Sequence, residues 1–77
     1  MKKETRIEIF GSRYNIRSET DEEYIHELAA YVDTKMREIT EQSGTLSSLK
    51  VAILAALNIT NELFQLREHH SQQSDFI

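Results

Sequence analysis

The sequence predicts an α+β protein with an N-terminal β-hairpin, a short helix, and a long second helix that self-associates as a short coiled coil. Three observations favour this class. Strand-like alternation is confined to the first 17 residues, an amphipathic helical stripe follows, and a second helical segment is apolar on every face. In a chain of 77 residues, burial of apolar surface about balances the loss of conformational entropy, so a second copy is expected to complete the core.

The first element is a hairpin predicted over residues 6–17, with residues 11–12 forming a two-residue turn. Glycine at position 11 supplies the positive φ that a type II′ turn requires. In this register the facing pairs are Ile9 with Tyr14, Ile7 with Ile16, Glu8 with Asn15, Phe10 with Arg13, and Arg6 with Arg17. The isoleucines and the tyrosine then form one apolar row, which is typical of a half-buried hairpin.

The second element is a helix predicted over residues 21–42. Thr20 and Glu23 have the spacing of a capping box, and Gly44 is the expected stop. Apolar residues recur at three- and four-residue intervals, and we expect them to pack into the core. They are Ile25, Leu28, Ala29, Val32, Met36 and Ile39.

The third element is a helix predicted over residues 47–70, capped by Ser47 or Ser48. Residues 51–57 are apolar all around it, and such a helix must be covered on all sides. One hairpin and one helix can cover only part of it, so another chain is expected to cover the rest. Residues 71–77 are expected to be a frayed tail, and residues 1–77 are treated as one domain.

Within the second helix, one row of residues keeps the 4-3-4-3 spacing of a coiled-coil seam. Its members are Ala52, Ala56, Ile59, Leu63 and Leu66. We predict that this row forms a dimer interface, with the two alanines allowing a close approach of the helices. The pattern fades beyond the last leucine, so the coiled coil is expected to be short.

Charge is distributed unevenly along the chain. The net charge is −4, but residues 1–17 hold five basic and two acidic groups, and the remainder holds four basic and eleven acidic groups. The negative total argues against nucleic-acid binding as the main role. Arg6, Arg13 and Arg17 form either an ordinary solvated surface or a docking patch for a partner, and the sequence leaves both interpretations open.

The sequence lacks the patterns of a reaction centre. It has no cysteine, no Gly-rich phosphate loop and no nucleophile elbow, so we expect no enzyme activity, no metal site and no cofactor. No uninterrupted apolar run approaches the ~20 residues that span a bilayer. We therefore expect a cytoplasmic protein without membrane contact.

Six short strings follow one another with a specific spacing. They are IEIFG at 7–11, YNI at 14–16, VD at 32–33, KMREI at 35–39, VAILAALNI at 51–59 and EL at 62–63. Together with the hairpin-helix-helix layout, these strings make the sequence resemble the ZapA family of bacterial cell division proteins over nearly its whole length.

The resemblance implies a fold and a function. The hairpin and first helix would form a head, and the second helix would mediate dimerisation, with dimers pairing into tetramers through antiparallel coiled-coil contacts. The implied function is that of a non-enzymatic adaptor at the division site, which binds filaments of the tubulin-like GTPase FtsZ and cross-links them into the Z-ring. Because the chain stops soon after Leu66, the resemblance implies the dimer more strongly than the tetramer.

Two other function classes fit parts of the sequence. A ribbon-helix-helix DNA binder also combines a short β element with two helices, but it uses one strand per chain. The other alternative is a homodimeric oligomerisation module for a different cytoplasmic partner, since a partner-binding surface carries no motif. If FtsZ is the partner, the first helix could instead provide the contact, through Glu23, Glu27 or Lys35.

Overall fold

The chain folds as a hairpin followed by two helices. The computed structural model describes residues 3–75, with side chains for residues 3–69. The elements are β1 (Lys3–Ile9), β2 (Ser12–Ser18), α1 (Glu22–Ser43) and α2 (Ser48–Asp75). The α+β class is confirmed, and both strands of the hairpin come from one chain, unlike those of a ribbon-helix-helix protein.

The strands and the second helix are longer than predicted. β1 starts at Lys3 and β2 runs to Ser18, beyond the predicted limits of 6 and 17. α2 continues past residue 70 through Asp75, into the segment for which a frayed tail is predicted, because no glycine or proline interrupts it. Residues 76 and 77 lie outside the described residues.

The hairpin pairs in a different register from the predicted one. Its turn is formed by Phe10 and Gly11, with φ values of 51° and 83°, so Gly11 is the second turn residue rather than the first. Positive φ at both positions is characteristic of a type I′ turn, whose twist matches that of the strands. The facing pairs are Ile9 with Ser12, Glu8 with Arg13, Ile7 with Tyr14, Arg6 with Asn15, Thr5 with Ile16, Glu4 with Arg17 and Lys3 with Ser18.

Opposite charges favour the observed register. Glu8 faces Arg13, with 3.5 Å between the Glu8 Oε1 and Arg13 Nε atoms, and Glu4 faces Arg17. The predicted register would have placed Arg6 opposite Arg17, and like charges in facing positions destabilise a strand pair. Because the two registers differ by an even number of residues, the strand side chains stay on their predicted faces of the hairpin. Phe10 is the exception: it is predicted to face Arg13, but it lies in the turn and packs against the core.

A hydrogen bond from α1 holds the tip of the hairpin. The backbone N–H of Phe10 donates to Oδ1 of Asp33 at 2.7 Å, and Arg37 Nε donates to Oδ2 of the same carboxylate at 2.8 Å. Positive φ is uncommon for a bulky residue such as phenylalanine, and this partner for its amide favours the turn at residues 10–11.

The two helices begin with different caps. Asp21 is the N-cap of α1, so the predicted capping box with Thr20 is wrong. The Thr20 amide donates to Ser18 Oγ at 3.0 Å, and α1 starts at Glu22, one residue later than predicted. At α2, Ser47 is the cap, because its Oγ accepts the Lys50 N–H at 3.2 Å.

Gly44 ends α1, as predicted. Its φ of 76° and ψ of −140° lie in a backbone region that residues with a Cβ avoid, and its N–H donates to the Thr40 carbonyl at 3.1 Å. An added Cβ would meet no described atom within 4 Å, so the cost of a substitution would come from the backbone itself.

Replacement of this glycine tests the backbone constraint. Gly44→Ala is expected to lower the free energy of unfolding by about 1–3 kcal/mol, measured by urea denaturation at a fixed protein concentration. Ser43→Ala, at the preceding residue, is the control and should change little. An alanine variant at position 44 as stable as the parent chain would show that the constraint is absent.

The core lies where the hairpin tip, the C-terminal half of α1 and the first turns of α2 meet. Its centre consists of four buried residues, Met36, Ile39, Val51 and Ala55. Partly buried residues packed around them are Ile9, Phe10, Val32, Leu46 and Leu54. Of the apolar stripe predicted for α1, Met36 and Ile39 belong to this core and Val32 packs against it. Ala29 is also buried, Ile25 is partly buried, and Leu28 is 46% exposed.

The chain is too extended to bury α2. Its radius of gyration is 15.6 Å, whereas a compact domain of 77 residues has ~11.5 Å. Its accessible surface is 6572 Å², whereas a compact 9.0 kDa protein exposes ~4,900 Å². This excess of roughly 1,700 Å² is large enough to supply the ~1,000 Å² or more that an obligate dimer covers on each chain.

Candidate self-association and partner-binding surfaces

One side of α2 packs on the rest of the chain, and the other side exposes apolar residues to solvent. Val51 and Ala55 are each 1% exposed and belong to the core. The open face of α2, as we call the exposed side, consists of Leu49, Ala52, Ile53, Ala56, Leu57, Ile59, Leu63, Phe64 and Leu66. Contiguous exposed apolar surface of this extent is typical of a site that binds another molecule.

The predicted coiled-coil seam is one row of the open face. Ala52, Ala56, Leu63 and Leu66 are exposed, and Ile59 is partly buried. All five are therefore available to a second chain, and their role in an interface stays a prediction.

Beside the seam lies a second apolar row that the heptad pattern misses. Its members, all more than half exposed, are Leu49, Ile53, Leu57 and Phe64. The sequence signal for this row is the all-round apolar character of residues 51–57, whereas a search for 4-3-4-3 spacing selects a single row. The open face is thus wider than a simple coiled-coil seam.

By length and composition alone, Ser48–His69 of α2 could also cross a bilayer. A segment within these 22 residues has a mean hydropathy of 1.2, and 11% of that segment is buried in the single chain. The sequence expectation counted only uninterrupted apolar runs. It therefore missed this stretch, which qualifies by its length and average composition. The finding is weak evidence for a span, because helices that pack against another protein can have the same composition.

A groove of about 370 Å³ adjoins the N-terminal end of the open face. Its walls come from the hairpin tip, from α1 and from the first turns of α2. They are formed by Ile9, Phe10, Ser12, Tyr14, Val32, Met36, Ser48, Leu49 and Ala52. Apart from the serines the walls are apolar or aromatic, so the groove suits apolar side chains.

Three side chains connect α1 to the middle of α2. The Tyr31 hydroxyl donates to Oε1 of Glu62, and Lys35 Nζ forms an ion pair with Oε2 of the same carboxylate. The Lys35 ammonium also lies 5.3 Å from the centre of the Tyr31 ring, within cation–π range. The sequence pattern does not indicate this cluster, since Tyr31 and Glu62 are 31 positions apart.

These contacts shift the pKa values of the groups involved. The hydrogen bond from Lys35, which has the larger effect, and the hydrogen bond from Tyr31 hold the pKa of Glu62 below its ordinary value of 4.5. The hydrogen bond to Glu62 raises the pKa of Lys35 above 10.5 and that of Tyr31 above 10.0. At the hairpin tip, the Arg37 guanidinium, which has the larger effect, and the backbone N–H of Phe10 hold the pKa of Asp33 below its ordinary value of 3.8.

The lowered carboxyl pKa values predict a loss of stability in acid. Glu62 and Asp33 contribute stability that is present above their ordinary pKa values of 4.5 and 3.8 and is lost as the pH falls through the folded-state values. The melting temperature should therefore fall as the pH is lowered from about 5. Glu62→Gln should make this decline shallower, and Glu19→Gln, at an exposed position before α1, should leave it unchanged. An unaltered decline in the Glu62→Gln chain would contradict the assignment.

The three predicted docking arginines lie on the outward face of the hairpin. Arg6, Arg13 and Arg17 are exposed and alternate with residues that face the core. Glu4 and Glu8 lie on the same outward face, and Glu8 is paired with Arg13 at 3.5 Å. This surface is of mixed charge and is less basic than residues 1–17 taken as a whole.

The prominent features of the described part of the chain are surfaces that could bind another molecule. Among the described residues, no group of three or more His, Cys, Asp or Glu side chains could hold a metal ion. The features that stand out are the open face of α2, the groove beside it and the outward face of the hairpin. Together they define a small α+β binding protein with a hairpin head and an uncovered apolar helix.

Comparison with known sequences identifies the family. The family model described as Cell division protein ZapA matches residues 5–76. The Cell division protein ZapA of Geobacillus sp. strain WCH70 is 36% identical over 66 residues, covering 86% of this chain and 76% of that protein. The Cell division protein ZapA of Bacillus thuringiensis strain Al Hakam is 32% identical over 66 residues, covering 86% and 74%. The chain belongs to the ZapA family, which confirms the resemblance seen in the sequence.

Solved structures of similar chains share the fold. A ZapA mutant dimer from Geobacillus stearothermophilus superposes with a TM-score of 0.74 at 31% identity, covering 97% of this chain and 87% of that chain. A protein from Pseudomonas aeruginosa PAO1, described only as an unknown conserved bacterial protein, gives a TM-score of 0.80 at 33% identity, covering 94% and 80%. A hairpin followed by two helices is therefore the arrangement of a solved member of the family.

Proposed function

We propose that the protein is a non-enzymatic cell-division adaptor that binds and cross-links FtsZ filaments and thereby promotes assembly of the Z-ring. Membership of the ZapA family supports a role in cell division. FtsZ is proposed as the partner from the family resemblance, and cross-linking is proposed from the surfaces of the chain. The protein would act in the cytoplasm at the division site, without a cofactor and without a nucleic acid or membrane as partner.

The observation that best supports cross-linking is the uncovered open face of α2. This helix has 28 residues and is about 42 Å long, and Leu63, Phe64 and Leu66 on its later turns are at least half exposed. A second copy packed against the open face would bury these side chains and leave the two hairpin heads accessible. The G. stearothermophilus relative, a mutant ZapA, is a dimer, which supports self-association.

A dimer would convert weak binding into cross-linking. Each head would contact one filament, and after the first contact the second becomes intramolecular, with an effective concentration set by the distance between the heads. Individually weak contacts then hold two filaments together, whereas a single head would bind without cross-linking. A tetramer, which the family resemblance also implies, would require α2 surface beyond that used by the dimer.

Sedimentation of FtsZ polymerised with GTP tests the proposal. Low-speed centrifugation pellets bundles, and high-speed centrifugation pellets single filaments as well. The chain is expected to increase the FtsZ in the low-speed pellet and to appear there itself. Pelleting with FtsZ only at high speed would contradict cross-linking, and absence from both pellets would contradict FtsZ as the partner and favour an oligomerisation module for another protein.

A further inference from the structure

The outer edge of β2 is an unpaired strand edge. β2 pairs with β1 on one side, and in the part of the chain that the structure describes no other element approaches its backbone, because α1 packs on β1 and α2 packs on α1. The β1 side of the hairpin is different, since Glu22 and His26 of α1 each line a cleft together with Arg6 of β1. The hairpin therefore has one strand accompanied by a helix and one strand whose outer edge is open.

The turn determines which backbone groups lie at this edge. In a two-residue turn the carbonyl of the residue before the turn accepts the N–H of the residue after it, so Ile9 and Ser12 form a hydrogen-bonded pair. Such pairs alternate along an antiparallel ladder with pairs whose N–H and C=O groups do not bond to the facing strand. On β2 the residues of this second kind are Arg13, Asn15 and Arg17. Their backbone groups point out from the open edge, where another strand can pair with them.

The side chains along this edge have a distinct chemistry on each face. β2 contains no acidic residue, and its two arginines, Arg13 and Arg17, lie on the outward face. Arg13 pairs with Glu8 at 3.5 Å but stays 79% exposed, and among the described side chains Arg17 forms no ion pair. On the other face Tyr14 is half exposed and Ile16 is partly buried. The edge thus combines positive charge on one face with apolar surface on the other.

The arginines disfavour a second copy of β2 as the occupant of this edge. If two β2 strands paired antiparallel about a two-fold axis at Asn15, Arg13 of each copy would face Arg17 of the other copy. Like charges in facing positions destabilise a strand pair, and charged side chains on edge strands oppose edge-to-edge association. An acidic strand in the same place would instead form two pairs of opposite charge.

We propose that the open edge of β2 binds an extended acidic segment of a partner protein, which adds to the hairpin as a third, antiparallel strand. Residues of the segment that face Arg13 and Arg17 are acidic, and those that face Tyr14 and Ile16 are apolar. The recognised pattern is therefore acidic, apolar, any residue, apolar, acidic. Backbone hydrogen bonds provide affinity in this mode of recognition, and the alternating side chains provide specificity. The inference rests on the proposed role of the hairpin head in binding a partner, and it specifies the chemistry of that contact.

A designed peptide tests the proposal with the full chain. The probe has the sequence Thr-Glu-Val-Thr-Val-Glu-Thr and carries fluorescein, and its dissociation constant is measured by fluorescence anisotropy. A control peptide has lysine in place of both glutamates. In two further peptides one backbone nitrogen is methylated, either at the central threonine, whose N–H would bond to β2, or at the valine before it, whose N–H would point away.

The glutamate peptide is expected to bind, and the lysine peptide to bind at least about tenfold more weakly. Methylation at the central threonine should raise the dissociation constant at least about tenfold, because it removes a hydrogen bond and places a methyl group between the strands. Methylation at the valine should leave the constant within about threefold of that of the unmodified peptide.

A pair of variants at position 15 tests the same contact from the side of the protein. Asn15→Pro removes an N–H that the hairpin itself does not use, and proline is tolerated on an edge strand where the N–H faces solvent. Asn15→Val keeps the N–H and is the matched control. The proline variant is expected to bind the peptide at least about tenfold more weakly, and the valine variant within about threefold of the parent chain. Thermal melts followed by circular dichroism check that both variants are folded, and the methylated peptides decide the question if the proline variant is not.

Equal binding of the two methylated peptides would overturn the proposal, as would equal binding of the glutamate and lysine peptides or no binding of the glutamate peptide by the parent chain. These failures differ from a failure of the proposed function. A chain that bundles FtsZ but shows any of them would retain its adaptor role and lose the edge as its docking site. A chain that binds the glutamate peptide as expected but pellets with FtsZ at neither speed would support the edge and contradict FtsZ as the partner.

Discussion

An Ile59→Asp chain is expected to lose its dimer. Ile59 is partly buried in the single chain, and its neighbours in the predicted seam, Ala56 and Leu63, are exposed. Packing a second helix on this row would enclose position 59 completely. An aspartate there would place an unpaired carboxylate in an apolar interface, at a cost of upwards of ~3 kcal/mol per chain. Because each copy contributes one such residue, the dimer would carry the cost twice.

Light scattering over a range of concentrations gives the mass of this variant, and circular dichroism gives its helix content. We expect either a monomer or an unfolded chain, and in both cases loss of low-speed FtsZ pelleting. Asn61→Asp is the matched control, because it adds the same charge at an exposed position on the opposite side of α2. A well-folded Ile59→Asp dimer would show that the seam lies elsewhere on the helix.

Reversal of two hairpin charges is expected to abolish FtsZ bundling while the dimer is retained. Arg13→Glu combined with Arg17→Glu removes two of the three arginines from the outward face, at exposed positions away from α2. Charges at the rim of an interface mainly alter association rate and salt sensitivity. Bundling by the parent chain should accordingly weaken as salt rises past ~0.1 M, where the Debye length is ~10 Å.

The hairpin register changes the design of this experiment. The two arginines face Glu8 and Glu4, so the double reversal creates two like-charge pairs and weakens the hairpin. Arg13→Gln combined with Arg17→Gln removes the positive charges without creating those pairs, and it should also reduce bundling. Lys50→Glu, a reversal at an exposed position on α2, changes the net charge by as much as the double glutamine variant does and is the control for total charge of that variant.

FtsZ pelleting and size-exclusion chromatography are performed on the same preparations. Lost pelleting with a retained dimer peak would support the hairpin as the FtsZ-facing surface. Normal pelleting by both double variants would contradict it and would favour α1, where Glu23 and Glu27 are exposed. Lys35 is a weaker candidate on that helix, because its side chain is 19% exposed and is held by Glu62.

The hairpin shows which structural features the alternation of apolar residues can predict and which it cannot. Alternation correctly predicts which strand residues face the core, since that depends only on whether a position is odd or even. It fails for Phe10, which lies in the turn and packs against the core. The register depends on which two residues form the turn, and Gly11 fits either turn position. Contacts outside the strand pattern favour the observed turn: the Phe10 amide bonds to Asp33 on α1, and the Glu8–Arg13 pair forms across the strands.

The sequence by itself determined the type and order of the elements and the stop at Gly44, and it predicts that α2 needs a partner. These properties follow from periodicity, from a backbone conformation that excludes a Cβ, and from apolar side chains on every face of one helix. Only the tertiary structure decided which side of α2 is covered, where the groove lies and that Glu62 binds Tyr31 and Lys35. The physical reason is that these features join residues far apart in the sequence, such as Tyr31 with Glu62 and Ile9 with Ala52, whose proximity arises from the packing of whole elements rather than from any local pattern.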